Sequence, residues 1–212
     1  MNSPKLIRWG GLAAIAGGLL WALFPLGSVL VSFEETPPGT PAHLAAASVY
    51  WLMAVVSLLL LILGLVSLHS LHKRAYGRLG NAGFFVSLAA LSSMFVGNGW
   101  ELASLTFRDS ESDVGHSVFL IGFLILLVGS AIVGFAIRRV RHDVASRLGY
   151  LLLIGALPLG ILLAVVLGAV SPGTDLGFWA AITVPYGLAW TLLGYALVSE
   201  GSASSKEAAP VG

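Results

Sequence analysis

The chain has 212 residues, of which 57% are apolar and only 10% are Asp, Glu, Lys or Arg; its formal net charge is +1 and its mean hydropathy is +0.93. An ordinary soluble domain carries about 25% charged residues. The shortfall excludes a soluble globular enzyme, a disordered chain and a nucleic-acid binder with a basic face, and leaves an integral membrane protein.

Six apolar stretches are predicted to be membrane-spanning helices, at residues 9–32, 44–68, 79–104, 115–137, 148–170 and 177–198. Each exceeds the roughly 20 residues that cross a hydrocarbon core. None has a Lys or Arg in its middle. The first stretch is longer than the roughly 7–15 apolar residues of a cleaved signal, so it is read as a retained helix. Pro25, Pro158 and Pro185 are expected to kink their helices. The predicted fold is all-α, a polytopic helical bundle over residues 1–200. The Gly-, Ser- and Ala-rich segment 201–212 is expected to be a disordered cytoplasmic tail.

The charges sort by face. Lys5, Arg8, Lys73, Arg74, Arg78, Arg138, Arg139, Arg141, Arg147 and Lys206 fall on one side of the spans, and only Arg108 falls on the other. Ten basic and three acidic residues leave +7 on the first side. One basic and seven acidic residues leave −6 on the second. The positive-inside rule makes the basic side cytoplasmic, with both termini inside. This is the pattern of a bacterial-type cytoplasmic membrane protein.

The connections are all short, and none could fold as a domain. The chain has no Cys, which excludes disulfides, thiolate metal sites and thiol nucleophiles. No glycine-rich phosphate loop is present. No Asp, Lys or Arg lies within a span, and an ion-coupled pump usually needs such a residue. A serine with no buried base beside it has no route to activation.

A weak repeat runs through the chain with a period near 70. Arg8-Trp9-Gly10, Arg78-Leu79-Gly80 and Arg147-Leu148-Gly149 open the odd spans. Gly64, Gly134 and Gly194 lie near the ends of the even ones. The unit is read as a helical hairpin used three times in parallel. Small residues also recur every four positions, as Gly10, Ala14, Gly18 and Ala22 in span one and Ala156, Gly160, Ala164 and Gly168 in span five. A shorter series, Ala89, Ser93 and Gly97, lies in span three. Such ladders allow close backbone approach, so the odd spans are expected to pack on one another with the even spans outside.

Trp9, Tyr76 and Tyr150 are expected at the inner membrane boundary, with Trp100 and Trp179 at the outer one. Trp21, Trp51 and Trp190 are expected in the packing between helices. Asn98 and Glu101 end span three and share a face at three-residue spacing. His43 and His116 open spans two and four. With Glu101 they are the candidate catalytic residues, for proton transfer or a shared metal, against capping and solvation as the plainer reading. Asn98, Glu101 and Tyr186 are the candidates to line a cavity between hairpins. His69 and His72, beside Lys73 and Arg74, could meet a lipid head group but are read as part of the orientation signal. No metal site or cofactor is expected.

The layout of Arg8–Leu23 and Arg78–Glu101 resembles small six-span bacterial integral membrane proteins. The likeness covers most of the chain loosely and rests on pattern, with no diagnostic motif. Three parallel hairpins are also similar in plan to mitochondrial carriers, but the carriers' Pro-x-Asp/Glu-x-x-Lys/Arg signature is missing, so no functional residue is carried over. The role expected is non-catalytic: an accessory or assembly subunit, or a binder of lipid or an apolar small molecule. Its expected partners are membrane lipids and another membrane protein or a second copy, with no nucleic acid. A small transporter and a membrane enzyme using the outer His and Glu residues stand as alternatives.

Overall fold

The computed structural model describes residues 4–30, 37, 40, 41–108, 110, 112–138, 144–170 and 175–207. It contains α1 (Pro4–Leu30), α2 (Pro41–His72), α3 (Gly77–Arg108), α4 (Asp113–Arg138), α5 (Val144–Val170) and α6 (Asp175–Glu207), and no strand among the described residues. Stretches of α1, α2, α3, α4 and α6 are each long and apolar enough to cross a membrane. In α5 the segments Ala145–Ala156 and Pro158–Val166 meet at a 60° bend, and together they too could make a crossing. A proline removes a backbone donor and crowds the preceding turn, which accounts for a bend at Pro158. Pro185 lies within an uninterrupted α6, which is held between α1 and α5.

The helices begin and end where local chemistry directs. Thr40 caps α2: its hydroxyl oxygen accepts the His43 N–H at 3.2 Å, and Pro41 supplies a first residue that needs no donor. Ser112 caps α4, accepting the Gly115 N–H on its side chain and the His116 N–H on its carbonyl. Gly77, at φ +65°, turns the chain between α2 and α3. α6 runs on through Gly201–Glu207, where the sequence reading placed a disordered tail. Ser199 and Ser202 hydroxyls donate to the carbonyls of Tyr195 and Val198, so these polar residues stay within the helical pattern. Residues 208–212 lie outside the described residues.

The packing order is a ring. Each helix packs on its chain neighbours, and α6 closes the ring by packing along α1. No packed interface joins α1, α3 and α5 to one another among the described residues. The expectation that the odd helices pack together is therefore corrected. The reason lies in helix geometry: a four-residue step advances about 40° around an α-helix, so a ladder of four winds across two faces. Gly10 and Ala14 accordingly meet Ser67 and Gly64 of α2, whereas Gly18 and Ala22 meet Gly187 of α6. Gly160 rests on Ala181 and Ile182 of α6, and Ala156 and Ala164 are buried. The side chain position of Gly168 lies outside the described residues. In α3 the series is likewise split, with Ala89 exposed and Gly97 against Gly115 and Phe119 of α4.

The seven-residue spacings are more informative. Gly11 and Gly18 of α1 face Gly194 and Gly187 of α6. Gly115, Gly122 and Gly129 of α4 lie on α3 at Gly97, Ala90 and Ser87. Between helices in a lipid setting, association depends on close van der Waals fit, which glycine permits. Of the glycines that align in the sequence repeat, Gly64 of α2 meets the preceding helix α1, whereas Gly134 of α4 and Gly194 of α6 meet the helix that follows in the ring, α5 and α1.

Inside the ring, large side chains fill the centre. Trp21, Met94, Phe119, Leu126, Tyr186 and Trp190 belong to one buried cluster reaching all six helices. Trp21 of α1 and Phe119 of α4 have ring centroids 6.5 Å apart, and Phe119 and Trp179 of α6 are 6.0 Å apart. A second cluster joins Phe24, Tyr50, Trp51 and Leu105.

Candidate functional site

Asn98 and Glu101 sit on the buried face of α3, near the end of the bundle opposite the termini. Their relative exposures are 0% and 2%. Gly97 and Gly115 bring the α3 and α4 backbones together here: a Cβ on Gly115 would stand 2.9 Å from the Gly97 carbonyl oxygen and 3.2 Å from Glu101 Cγ. The Ser112 backbone N–H donates to Glu101 Oε2 at 2.8 Å. The carboxylate thus holds the residue that caps α4, where the helix dipole also favours negative charge. Charge-assisted hydrogen bonds of this kind are roughly twice as strong as neutral ones. Asn98 differs, since neither its Oδ1 nor its Nδ2 has a hydrogen-bond partner among the described residues.

The two histidines proposed to join Glu101 have other placements. His43 is half-buried in the first turn of α2, its N–H held by Thr40. His116 is exposed on α4, next to the glycine that meets Glu101. Among the described residues, no three His, Asp or Glu side chains come together in a way that could hold a metal ion.

Tyr186 is buried on α6, and its hydroxyl bonds to Ser130 Oγ of α4 at 3.1 Å. Ser130 lies level with Ser87 of α3, since Gly129 packs on Ser87. Ser87 is eleven residues before Asn98, roughly 16 Å along the helix axis. Asn98, Glu101 and Tyr186 are therefore not brought together to line a cavity. The sequence reading grouped them because each is polar within a span, and spacing along one helix says nothing of depth on another.

The α2–α3 turn is more ordered than a charge signal requires. His69 Nδ1 hydrogen-bonds the Tyr76 hydroxyl, and the His69 ring stacks on Phe84 with centroids 3.8 Å apart. His72 is buried, its Nδ1 donating to the Leu68 carbonyl at 3.0 Å. The Tyr76 ring occupies the space left by the absent side chain of Gly80. Burial pushes the Tyr76 phenol well above its ordinary pKa. Tyr76 and Tyr150 are buried against the protein, whereas Trp9 and Trp100 are exposed. The sequence signal for this turn was the Tyr76-Gly77 pair, with an aromatic placed beside a residue able to take positive φ.

An open space adjoins the C-terminal end of α3. A groove of about 430 Å³ is bordered by Gly99, Trp100, Ala103, Ser104, Phe107 and Arg108. It lies on the outward face of the helix, where Trp100, Phe107 and Arg108 are exposed. No family model, no curated protein and no solved structure matches the chain.

Proposed function

We propose that the chain is a six-span protein of a bacterial-type cytoplasmic membrane, with both termini inside and no catalytic role. It acts as an accessory or assembly subunit, or binds lipid or an apolar small molecule, and it works alongside a membrane partner or a second copy. The packing of the interior carries this reading. Trp21, Phe119, Phe123, Tyr186 and Trp190 occupy the space between the helices. The buried carboxylate of Glu101 accepts a backbone N–H, which is a structural use. A transporter would need Asn98, Glu101 and Tyr186 around a shared cavity, and they stand at different depths. The charge difference between the two faces supports the orientation.

Purification from native membranes in mild detergent, followed by mass spectrometry of what remains bound, tests the role. Co-purified lipid or a stoichiometric membrane protein is expected. A chain that always emerges alone, free of both, overturns it. Single cysteines placed at Lys73 and at Arg108 in this Cys-free chain test the orientation. The first should label only from the cytoplasmic side and the second only from outside.

A further inference from the structure

Trp21 of α1, Trp51 of α2 and Asn98 of α3 carry buried polar atoms with no hydrogen-bond partner among the described residues: both indole Nε1 atoms, and Oδ1 and Nδ2 of the amide. The three residues are 0%, 8% and 0% exposed. A path of aromatic rings joins them. A Cβ on Gly97, the residue before Asn98, would stand 2.6 Å from the Phe119 backbone nitrogen. The Phe119 ring centroid lies 6.5 Å from that of Trp21. Trp21 stacks on Phe24 at 5.5 Å, and Phe24 stacks on Tyr50 at 4.3 Å. Tyr50 meets Trp51 edge-on at 5.2 Å. The path then returns to α3, because Trp51 and Leu105 share one buried cluster. Leu105 follows Asn98 by seven residues, two turns along the same face.

Native interiors pair nearly all their buried polar groups, and an unpaired one costs stability. Elsewhere in this interior the pairing is made: Ser57 donates to the Ala54 carbonyl, Thr183 to the Trp179 carbonyl, and Ser130 bonds to Tyr186. Glu101, one turn beyond Asn98, is engaged by the Ser112 N–H of α4. Ser87 and Trp190 are also unpaired, but they belong to the level of Ser130 and Tyr186: Gly129 packs on Ser87, and the Trp190 ring lies 6.4 Å from that of Tyr186.

The unpaired set selects a ligand by its chemistry. An indole only donates, and an amide supplies two N–H donors and one carbonyl acceptor. Three donor groups therefore stand against one acceptor, so the complement is rich in acceptors and poor in donors. An ion would lose hydration among these rings that one amide and two indoles could not replace. A carbonyl oxygen accepts without carrying charge. Flat aromatic walls favour a flat partner, through offset stacking.

We propose that Trp21, Trp51 and Asn98 form a binding site for a planar apolar molecule bearing carbonyl oxygens, the chemistry of a quinone ring. The Asn98 amide and the two indoles donate to its carbonyls, and its faces lie against the Phe24 and Tyr50 rings. These rings fill the space in the structure, so the molecule enters by displacing them. Aromatic side chains turn on only two torsions, which keeps that displacement local. The proposal rests on the reading that the chain binds an apolar small molecule.

Native mass spectrometry of the full chain with decylbenzoquinone tests it, with decylbenzene as the carbonyl-free probe. The quinone should be retained, and decylbenzene about tenfold less. Asn98→Leu and Trp51→Phe should each lower quinone retention about tenfold, near the upper worth of one hydrogen bond. Ser87→Ala should leave it unchanged. Without quinone, Asn98→Leu should melt above the wild-type chain, which shows that the variant is folded. Added quinone should raise the melting temperature of the wild-type chain and not that of Asn98→Leu. Equal retention of decylbenzene, or indifference to both Asn98→Leu and Trp51→Phe, overturns the site. Retention of phospholipid or of a membrane protein, with no quinone bound, overturns the site while leaving the proposed role standing. A chain that retains none of these overturns both.

Discussion

Gly11 of α1 and Gly194 of α6 meet backbone to backbone. A Cβ on Gly11 would stand 2.8 Å from the Gly194 carbonyl oxygen, and one on Gly194 would stand 2.6 Å from that of Gly11. The contact recurs seven residues along, at Gly18 and Gly187. These pairs close the ring between the first and last helices. Gly194→Leu or Gly18→Leu should therefore push α6 away from α1 and destabilise the bundle by about 1–3 kcal/mol or more, the usual cost of overpacking. Gly155→Ala, where nothing lies within 4 Å of the added methyl, should be neutral or slightly stabilising. Thermal unfolding in detergent checks both. Equal tolerance at Gly18 and Gly155 would contradict the close approach.

Glu101 should be needed for the order of the α3–α4 turn. Glu101→Ala removes the acceptor of the Ser112 N–H and should cost about 1.5–3 kcal/mol, the range for a hydrogen bond to a charged group. Glu101→Gln keeps a carbonyl oxygen and should cost less. Ser112→Ala removes the α4 cap and should cost about 1 kcal/mol. Hydrogen exchange across residues 109–116 is the readout. Unchanged protection in Glu101→Ala would show that the carboxylate does not hold the turn.

Asn98 should behave in the opposite way. Its amide is buried with neither polar atom paired among the described residues. An unsatisfied buried group costs about 1–3 kcal/mol, and an apolar residue of similar shape removes that penalty. Asn98→Leu should raise the melting temperature. A fall would mean that the amide has a partner in the membrane, and a co-purified molecule lost from the variant would identify it.

The α2–α3 turn should loosen in alkali. Burial raises the Tyr76 pKa above its unfolded value near 10, so the folded state resists ionisation. The stability linked to this phenol is complete below pH 10 and falls as pH rises beyond it. Tyr76→Phe should flatten that alkaline decline. Between pH 7 and 9 the same variant should be slightly less stable, because His69 loses its hydroxyl partner. A wild-type unfolding curve that does not change between pH 9 and 11 would contradict this.

Much of the fold was legible in order and kind. The scarcity of charge predicts a membrane setting, and the apolar runs predict where the helices lie, because a helix in lipid must satisfy its own backbone and cover it with apolar side chains. The ends were less legible. The Gly201–Glu207 segment reads as a tail by composition, yet α6 continues through it, and the Ser202 hydroxyl bonds to the Val198 carbonyl one turn back. At the site, Glu101 was read as a catalytic or cavity-lining candidate. Its carboxylate accepts the N–H of Ser112, eleven residues on, a partner that no spacing rule along one helix could supply.

Tertiary structure decided which faces meet. Sequence alone determines that Gly10, Ala14, Gly18 and Ala22 recur at four-residue steps, but not that 40° of drift per step divides them between α2 and α6. Likewise it determines that Asn98, Glu101 and Tyr186 are polar within apolar runs, but their depth in the bundle follows from how α3, α4 and α6 dock. Ser104 and Arg108 share a face of α3 by their four-residue spacing, which the sequence alone gives. That a groove opens beside them, bordered by Gly99, Trp100, Ala103 and Phe107, is decided by the folded surface.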